Sequence, residues 1–236
     1  MATLLEGLLL VAALLFPGAY GEETRLYTPV PATADGIGKS YMGRQIAHVM
    51  GWQGAAWLDR PERETEERTD LLLPLIGVQS GMVVADIGAG SGYYTERLAR
   101  AVGPKGVAYA VDLQSEMLAM VRDRAVRSGL QNVRPVLAGE KDLHLPAASV
   151  DLALMVDVYH EFEYRFEVLA SLVQALKPGG RVVFVEYRAE DSRVPIKPLH
   201  KMTEAQIKAE AERQPLAWEQ TSSALPWQHV VIFRRR

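Results

Sequence analysis

Cysteine is absent from the 236-residue sequence. Disulfide bonds, metal sites built on thiolates and catalysis by a cysteine nucleophile are therefore excluded. The redox state of the compartment does not follow from this absence, because a chain without thiols is stable in either state. An excess of basic charge is also missing, since 26 Lys and Arg residues stand against 29 Asp and Glu residues, for a formal net charge of −3. This balance argues against a nucleic-acid-binding surface, which needs a net basic face.

A long uncharged apolar run occupies residues 8–16. Its nine residues are too few to span a bilayer, which takes about 20. The run fits the apolar region of a secretory signal peptide, and the small residues Ala19 and Gly21 suit a cleavage site. We therefore expect a signal peptide over residues 1–21 and a periplasmic or secreted protein. The segment before the run has Glu6 but no Lys or Arg, so an N-terminal helix packed on the domain of a cytoplasmic protein is the alternative.

The segment that follows the leader has two parts. Residues 22–40 contain several Pro and Gly residues and show no periodicity, which predicts a linker or extended arm. Apolar positions at Ile46, Val49 and Met50 predict a short helix, and a second helix begins in the charged stretch 61–68 and becomes apolar after it. We expect a helical lid over residues 41–80, within one domain that covers residues 41–236.

From Gly81 onward, apolar strands alternate regularly with amphipathic helices. Near-continuous apolar strands of this kind predict a parallel sheet with both faces covered. The right-handed connections between such strands produce a doubly wound fold. The predicted strands are Met82–Asp86, Val107–Asp112, Val133–Leu137, Val150–Val156 and Arg181–Glu186, and the predicted helices are Tyr93–Val102, Ser115–Ser128 and Arg165–Leu176.

The end of the chain departs from this alternation. A helix is predicted over Thr203–Arg213, with Thr203 as its N-cap. Strands over Leu216–Ser222 and His229–Arg234 then form a hairpin that adds an antiparallel strand to the sheet. The predicted fold class is α/β, a doubly wound and mostly parallel seven-stranded sheet with a C-terminal antiparallel hairpin.

A glycine-rich segment lies directly between the first predicted strand and its helix, with the sequence Asp86-Ile87-Gly88-Ala89-Gly90-Ser91-Gly92. Glycines at this point let a ligand approach the main chain closely, beside the unpaired N–H groups of a helix N-terminus. Nicotinamide and flavin enzymes use the same device. Here, however, Tyr93 stands where the dinucleotide fingerprint needs its last glycine. Asp112, at the end of the second strand, is placed to accept hydrogen bonds from the two hydroxyls of a ribose. NAD also contains such a ribose, so this residue alone fits NAD equally well.

At these positions the sequence resembles the class I S-adenosylmethionine-dependent methyltransferases, over about Arg44 to the C-terminus. Four motifs occur in the family's order: Asp86-x-Gly88-x-Gly90-x-Gly92, Asp112, Leu145-Pro146 with Ser149-Val150-Asp151, and Leu176-Lys177-Pro178-Gly179-Gly180. The resemblance implies a Rossmann-like methyltransferase fold and S-adenosyl-L-methionine as cofactor.

The resemblance also implies roles for individual residues in binding the cofactor. The loop glycines would face its methionine part, Asp86 would hold the loop or the ammonium group, and Asp112 would bind the ribose. In the loop after the third strand, Glu140 and Asp142 are both candidates for the adenine contact, and Asp142 is favoured. The residues assigned to cofactor binding are Asp86, Gly88, Gly90, Gly92, Asp112, Asp142 and Asp157.

The acceptor is expected at the carboxyl ends of the fourth and fifth strands. His160 is the candidate general base, because an imidazole suits removal of a proton near neutral pH, and Tyr159 and Glu186 complete the candidate catalytic group. The alternative for His160 is a histidine that only binds its own loop. A metal site that also used His200 or His229 lacks a supporting motif such as His-Glu-x-x-His, so no metal ligands are assigned.

The predicted function is methyl transfer from S-adenosylmethionine to a small-molecule acceptor, with no nucleic-acid partner. A non-catalytic ligand-binding protein on the same fold is the alternative, because fold does not fix function. An NAD-dependent oxidoreductase is disfavoured by Tyr93 and by the other motifs.

Overall fold

The computed structural model describes residues 26–236. The predicted signal peptide, residues 1–21, and the start of the predicted linker lie outside the described residues. Within them, no helix combines the length and the apolar character that crossing a membrane requires.

The main sheet confirms the predicted fold class. Its strands are β4 (Val83–Ile87), β5 (Val107–Asp112), β6 (Val133–Leu137), β7 (Val150–Val156), β8 (Leu176–Tyr187), β9 (Leu216–Ser222) and β10 (Gln228–Arg235), after three strands that form a separate small sheet. The seven strands lie in the order β6-β5-β4-β7-β8-β10-β9. Strands β4 to β8 are parallel, and β10 runs antiparallel to both β8 and β9.

Helices cover both faces of this sheet. They are α1 (Ala55–Leu58), α2 (Arg63–Glu67), α3 (Thr69–Ile76), α4 (Tyr93–Val102), α5 (Ser115–Arg127), α6 (Arg165–Ala175) and α7 (Glu204–Ala211). Side chains alternate between the two faces of a strand, so Phe184 of β8 packs in the cluster with Leu169, while its neighbour Val183 packs in the cluster with Leu98. Burial on both faces explains why the strands read as continuous apolar runs. At the start of α7, Thr203 is the predicted N-cap, and its Oγ1 accepts a hydrogen bond from Gln206 N at 3.1 Å.

The N-terminal segment differs from the prediction. It forms a three-stranded antiparallel sheet of β1 (Tyr27–Pro29), β2 (Gly36–Tyr41) and β3 (Arg44–Ala47). Strands β1 and β2 thus fall mostly within the segment 22–40 that was predicted as a linker or extended arm, and the helix predicted around Ile46 is wrong, because Ile46 lies in β3. After β3, the first helical element is a short 3-10 helix at Trp52–Gly54.

The reason for this difference is the turn between β2 and β3. Met42 and Gly43 both have positive φ, 48° and 84°, as a type I′ hairpin turn requires. Methionine is not one of the residues typical of this turn, so the sequence pattern does not predict the hairpin. Ile46 is buried with Tyr27 and Tyr41 rather than on a helix. The second predicted helix is divided as well, because Arg68, with a φ of 50°, separates α2 from α3.

A buried ion pair joins α6 to α7. Arg165 Nη1 lies 3.1 Å from Glu210 Oε1, and both side chains are fully buried. Arg165 Nη2 also donates to the carbonyl oxygen of His160 at 2.7 Å. The pair therefore fixes the short 3-10 helix Tyr159–Glu161, which follows β7, against the rest of the domain.

Removing one partner of this pair leaves the other charge buried without compensation. We expect Glu210→Ala to lower the free energy of unfolding by about 3–5 kcal/mol, measured by urea denaturation. Arg100→Ala, which removes a partner of Glu96 from an exposed ion pair, should cost less than about 1 kcal/mol. Equal losses in the two variants would contradict a structural role for the buried pair.

Candidate functional site

The glycine loop turns directly at the end of β4. Gly88, Gly90 and Gly92 have φ values of 71°, 53° and 83°, a region that favours glycine. The N–H groups of Gly88 and Ala89 both donate to the carbonyl oxygen of Val111 in β5, at 2.8 and 3.0 Å. The loop is thereby held against the end of the neighbouring strand.

Gly88 and Gly90 have different surroundings from Gly92. A Cβ atom on Gly88 would lie 2.4 Å from Val158 Cγ2, and one on Gly90 would lie 2.5 Å from Leu58 Cδ1. Both glycines line a cavity at this edge of the sheet. Gly92 instead precedes α4 and packs against α5, where an added Cβ atom would lie 3.2 Å from Val121 Cγ2.

Two carboxylates stabilise the loop. Asp86 is buried and its Oδ2 accepts a hydrogen bond from Thr95 Oγ1 at 2.6 Å, and burial raises the pKa of Asp86 to about 6. This bond joins the end of β4 to α4, on either side of the loop, and the predicted roles of Asp86 stay predictions. Asp112 Oδ2 accepts from Gly90 N at 2.9 Å, and its Oδ1 accepts from Gln114 N at 2.9 Å. Burial raises the pKa of Asp112 as well.

The cavity runs from Asp112 across the glycine loop to the segment after β7. Its walls are mainly apolar, and a group of acidic side chains reaches it from several loops. Within the described part of the chain, no Lys or Arg lines it. The acidic residues are Asp112, Glu140, Asp157, Glu161 and Glu163, and the apolar ones include Val49, Met50, Leu58, Leu113, Met117, Leu143, Val158 and Phe162.

The loop after β6 favours Glu140 over Asp142 for a ligand contact. Glu140 lines the cavity. Asp142 Oδ1 accepts from His144 N and from Ser171 Oγ, both at 2.9 Å, and these bonds lower its pKa, with that of His144 the largest cause. The Asp142 side chain therefore closes its own turn, and Glu140 is the alternative that the sequence had left open.

Asp157 reaches the cavity from the end of β7 with a positive φ of 50°. Its Oδ2 accepts from Gln228 Nε2 at 3.2 Å, whereas its buried Oδ1 has no hydrogen-bond partner among residues 26–236. Burial, followed by the charges of Glu67 and Glu186, raises the pKa of Asp157 well above its usual range. An unpartnered acceptor of this kind suits a ligand that brings a donor or a positive charge.

The predicted catalytic residues occupy three different environments. Tyr159 is fully buried, and its ring packs edge-on against Phe162 and Phe184. His160 Nδ1 lies 2.6 Å from Oε2 of the fully buried Glu186. Neither His160 nor Glu186 is among the described residues that line the cavity. The three side chains therefore lie behind its wall, and their catalytic roles remain predictions.

Glu161 lies between this group and the cavity, and it was not among the predicted site residues. Its Oε2 accepts from Met50 N at 3.2 Å, and burial raises its pKa to about 7. His200, from the short 3-10 helix Pro198–His200, lies nearby with its Nδ1 3.2 Å from His160 Nε2. Burial lowers the pKa of His200 to about 4. The adjacent pair His160-Glu161 was visible in the sequence, but the approach of His200 was not.

Residues 85–184 match the family model described as a methyltransferase domain. A ubiquinone/menaquinone biosynthesis C-methyltransferase, UbiE, from Pseudomonas paraeruginosa (strain DSM 24068 / PA7) is 32% identical over 121 residues, which are 51% of this chain and 47% of the relative. The UbiE protein of Stutzerimonas stutzeri (strain A1501) is 31% identical over 116 residues, 49% of this chain and 45% of the relative. The chain thus spans about half the length of the curated relatives it matches.

Solved structures share the fold. A SAM dependent methyltransferase from Aquifex aeolicus has a TM-score of 0.75 at 24% identity, and the match covers 80% of this chain and all of the other. A putative type 11 methyltransferase from Sulfolobus solfataricus has a TM-score of 0.61 at 22% identity, covering 72% of this chain and 94% of the other. At these identities the likeness concerns the fold.

The raised pKa of Asp86 predicts a pH-dependent stability. Since its pKa rises from 3.8 to about 6 on folding, the protonated carboxyl favours the folded state below about pH 3.8, and that contribution is lost as the pH rises through 6. Asp86→Asn has no such titration. We expect the unfolding free energy of the parent to fall relative to Asp86→Asn by about 3 kcal/mol between pH 3.8 and 7, measured by urea denaturation. Parallel profiles would contradict this assignment.

Proposed function

We propose that this chain, in which residues 85–184 match the model of a methyltransferase domain, is a class I S-adenosylmethionine-dependent methyltransferase that transfers a methyl group from S-adenosylmethionine to a small-molecule acceptor. The acceptor would bind in the same cavity as the cofactor, beside the end of β7. Ligands of open α/β sheets bind outside the carboxyl ends of the strands, which is where the cavity lies.

The acidic lining of the cavity is the observation that carries this proposal. S-adenosylmethionine has a sulfonium and an ammonium group, whereas NAD has a negatively charged diphosphate. Five carboxyl side chains reach the cavity, and no Lys or Arg of the described chain lines it. Burial raises the pKa of Asp112, Asp157 and Glu161. A bound cation favours the ionised form of such carboxyl groups, whereas a diphosphate opposes it, so the site fits the sulfonium cofactor and disfavours the dinucleotide.

The residues present suit each part of this cofactor. Each Asp112 oxygen accepts one backbone N–H, and a carboxylate has about four lone-pair sites, so it retains capacity for ribose hydroxyls. Leu113, Met117 and Leu143 offer apolar contacts next to Glu140 for the adenine ring. A positive charge of the cofactor near the unpartnered Oδ1 of Asp157 would stabilise the ionised carboxylate.

The cofactor supplies an activated methyl group on sulfur when bound, and the chain contributes orientation and exclusion of water. Leu58 lies over Gly90, and Met50 is fixed by a hydrogen bond from its N–H to Glu161. These side chains line the cavity together with Val158 and Phe162. The apolar walls support an acceptor with an apolar ring, and the UbiE relatives carry the name of C-methyltransferases of quinone biosynthesis. An aromatic or quinone-like ring is therefore the acceptor class that we propose to test first.

We propose a location from the sequence pattern alone. Residues 1–21 would direct export and be removed after Gly21, which requires that cytosolic S-adenosylmethionine reach the protein by another route. An N terminus at Glu22 in protein isolated from producing cells is the expected result of sequencing. An intact N terminus at Met1 would overturn cleavage.

Binding of the cofactor is tested by calorimetric titration of the protein with S-adenosylmethionine, S-adenosylhomocysteine and NAD. We expect the first two to bind and NAD not to bind. Asp112→Ala should weaken binding of S-adenosylhomocysteine by about 1–3 kcal/mol, the loss of charge-assisted hydrogen bonds, or about 5- to 150-fold.

The matched control is Asp123→Ala, which removes an exposed carboxylate from α5 and should leave the affinity unchanged. Equal affinities of the Asp112 and Asp123 variants would remove the ribose assignment. Binding of NAD alone would overturn the proposed function.

A further inference from the structure

The geometry points to a binding site for one divalent transition-metal ion, formed by His160, Glu161 and His200 at the edge of the cavity. Each residue offers one ligand atom, and these three atoms lie within 4.8 Å of one another. His160 Nε2 is 3.2 Å from His200 Nδ1 and 3.8 Å from Glu161 Oε1, and the latter two atoms are 3.7 Å apart.

These separations match the space around a bound ion. Nitrogen and oxygen ligands lie about 2.0–2.2 Å from zinc, so neighbouring corners of a tetrahedral site are about 3.4 Å apart. The observed triangle has sides of 3.2, 3.7 and 3.8 Å. An ion at its centre therefore needs only small movements of the three side chains.

Glu186 prepares His160 for this role. The 2.6 Å contact between Glu186 Oε2 and His160 Nδ1 favours a proton on Nδ1, which leaves the lone pair of Nε2 free to face Glu161 and His200. Glu186 Oε1 also accepts from His160 N at 3.3 Å. Metal-binding histidines commonly donate their second ring nitrogen to a carboxylate in this way.

Hydrogen bonds hold the backbone on both sides of the site. Arg44 of β3 donates to the carbonyl oxygens of Leu199 and Lys201, at 2.6 and 2.7 Å, and so fixes the residues on either side of His200. Arg165 does the same for the carbonyl oxygen of His160. Met50 N donates a hydrogen bond to Oε2 of Glu161, so Oε1 is the oxygen that can bind the ion.

The ligand set selects the class of ion. Two imidazoles and one carboxylate suit zinc, iron, cobalt and similar ions, whereas magnesium and calcium prefer shells of oxygen atoms. Three protein ligands leave at least one coordination position open. Since Glu161 lines the cavity, we expect that position to face it, where water or an oxygen of a bound ligand completes the coordination.

A direct hydrogen bond between the two imidazoles explains the 3.2 Å contact without an ion, so the experiment must separate the two cases. The full chain is freed of metal with a chelator and titrated with Co²⁺, without S-adenosylmethionine. Calorimetry and visible absorption should show one equivalent bound, with ligand-field bands that Zn²⁺ abolishes. Mg²⁺ at the same concentration should give no binding. Failure to bind Co²⁺ and Zn²⁺ stoichiometrically would overturn the site and leave methyl transfer unaffected.

Variants locate the ion. His200→Ala and Glu161→Gln should each weaken Co²⁺ binding at least about tenfold, and Glu186→Gln should weaken it about 10- to 100-fold without changing the stoichiometry. His144→Ala, which removes an exposed histidine whose ring binds the carbonyl oxygen of Leu137, should bind as the parent does. Circular dichroism checks that each variant is folded. Equal binding by the His200 and His144 variants would overturn the assignment.

Discussion

The parallel pairing of β4 with β5 and β7 is the constraint on which the rest of this structure depends. It sets Ile87 beside Val111 and Met155, so three strands end at one edge of the sheet. The backbone groups of the glycine loop are then satisfied by the carbonyl oxygen of Val111 and by Asp112. A shift of the register would separate Asp112 from Gly90 and leave buried N–H groups without partners, which costs free energy. The end of the cavity at Asp112 and Gly90 is thus a consequence of strand register.

The opposite end of the cavity depends on the small N-terminal sheet. Strand β3 lies against the 3-10 helices that carry His160 and His200, and its Arg44 fixes the backbone around His200. Tyr27 of β1 joins this sheet to α6, because its hydroxyl donates to Glu167 at 2.5 Å. A segment that looks like an arm in the sequence is therefore part of the wall that holds the candidate metal ligands.

Buried charge is concentrated where the ligands are proposed to bind. Burial raises the pKa of Asp86, Asp157 and Glu161, whereas Glu186 has its pKa lowered, with the charge of His160 the largest factor that lowers it. Buried carboxylates without a cationic partner destabilise a fold, and perturbed groups of this kind gather at functional sites. A cationic cofactor and a divalent ion would both offset part of this cost.

The sequence by itself determined the alternation of strands and helices, the glycine loop and the position of Asp112. These features depend on periodicity and on residues close together in the chain, so a local pattern carries them. It did not reveal the hairpin at Met42 and Gly43, because methionine rarely adopts the required φ. Only the tertiary structure shows that Glu140 lines the cavity whereas Asp142 bonds to His144 and Ser171, since the path of a loop depends on what it packs against. It also decided the approach of His200 to His160, 40 residues earlier in the chain. Helix α6, strand β8 and the loop after β8 lie between the two residues, and sequence spacing does not encode such a contact.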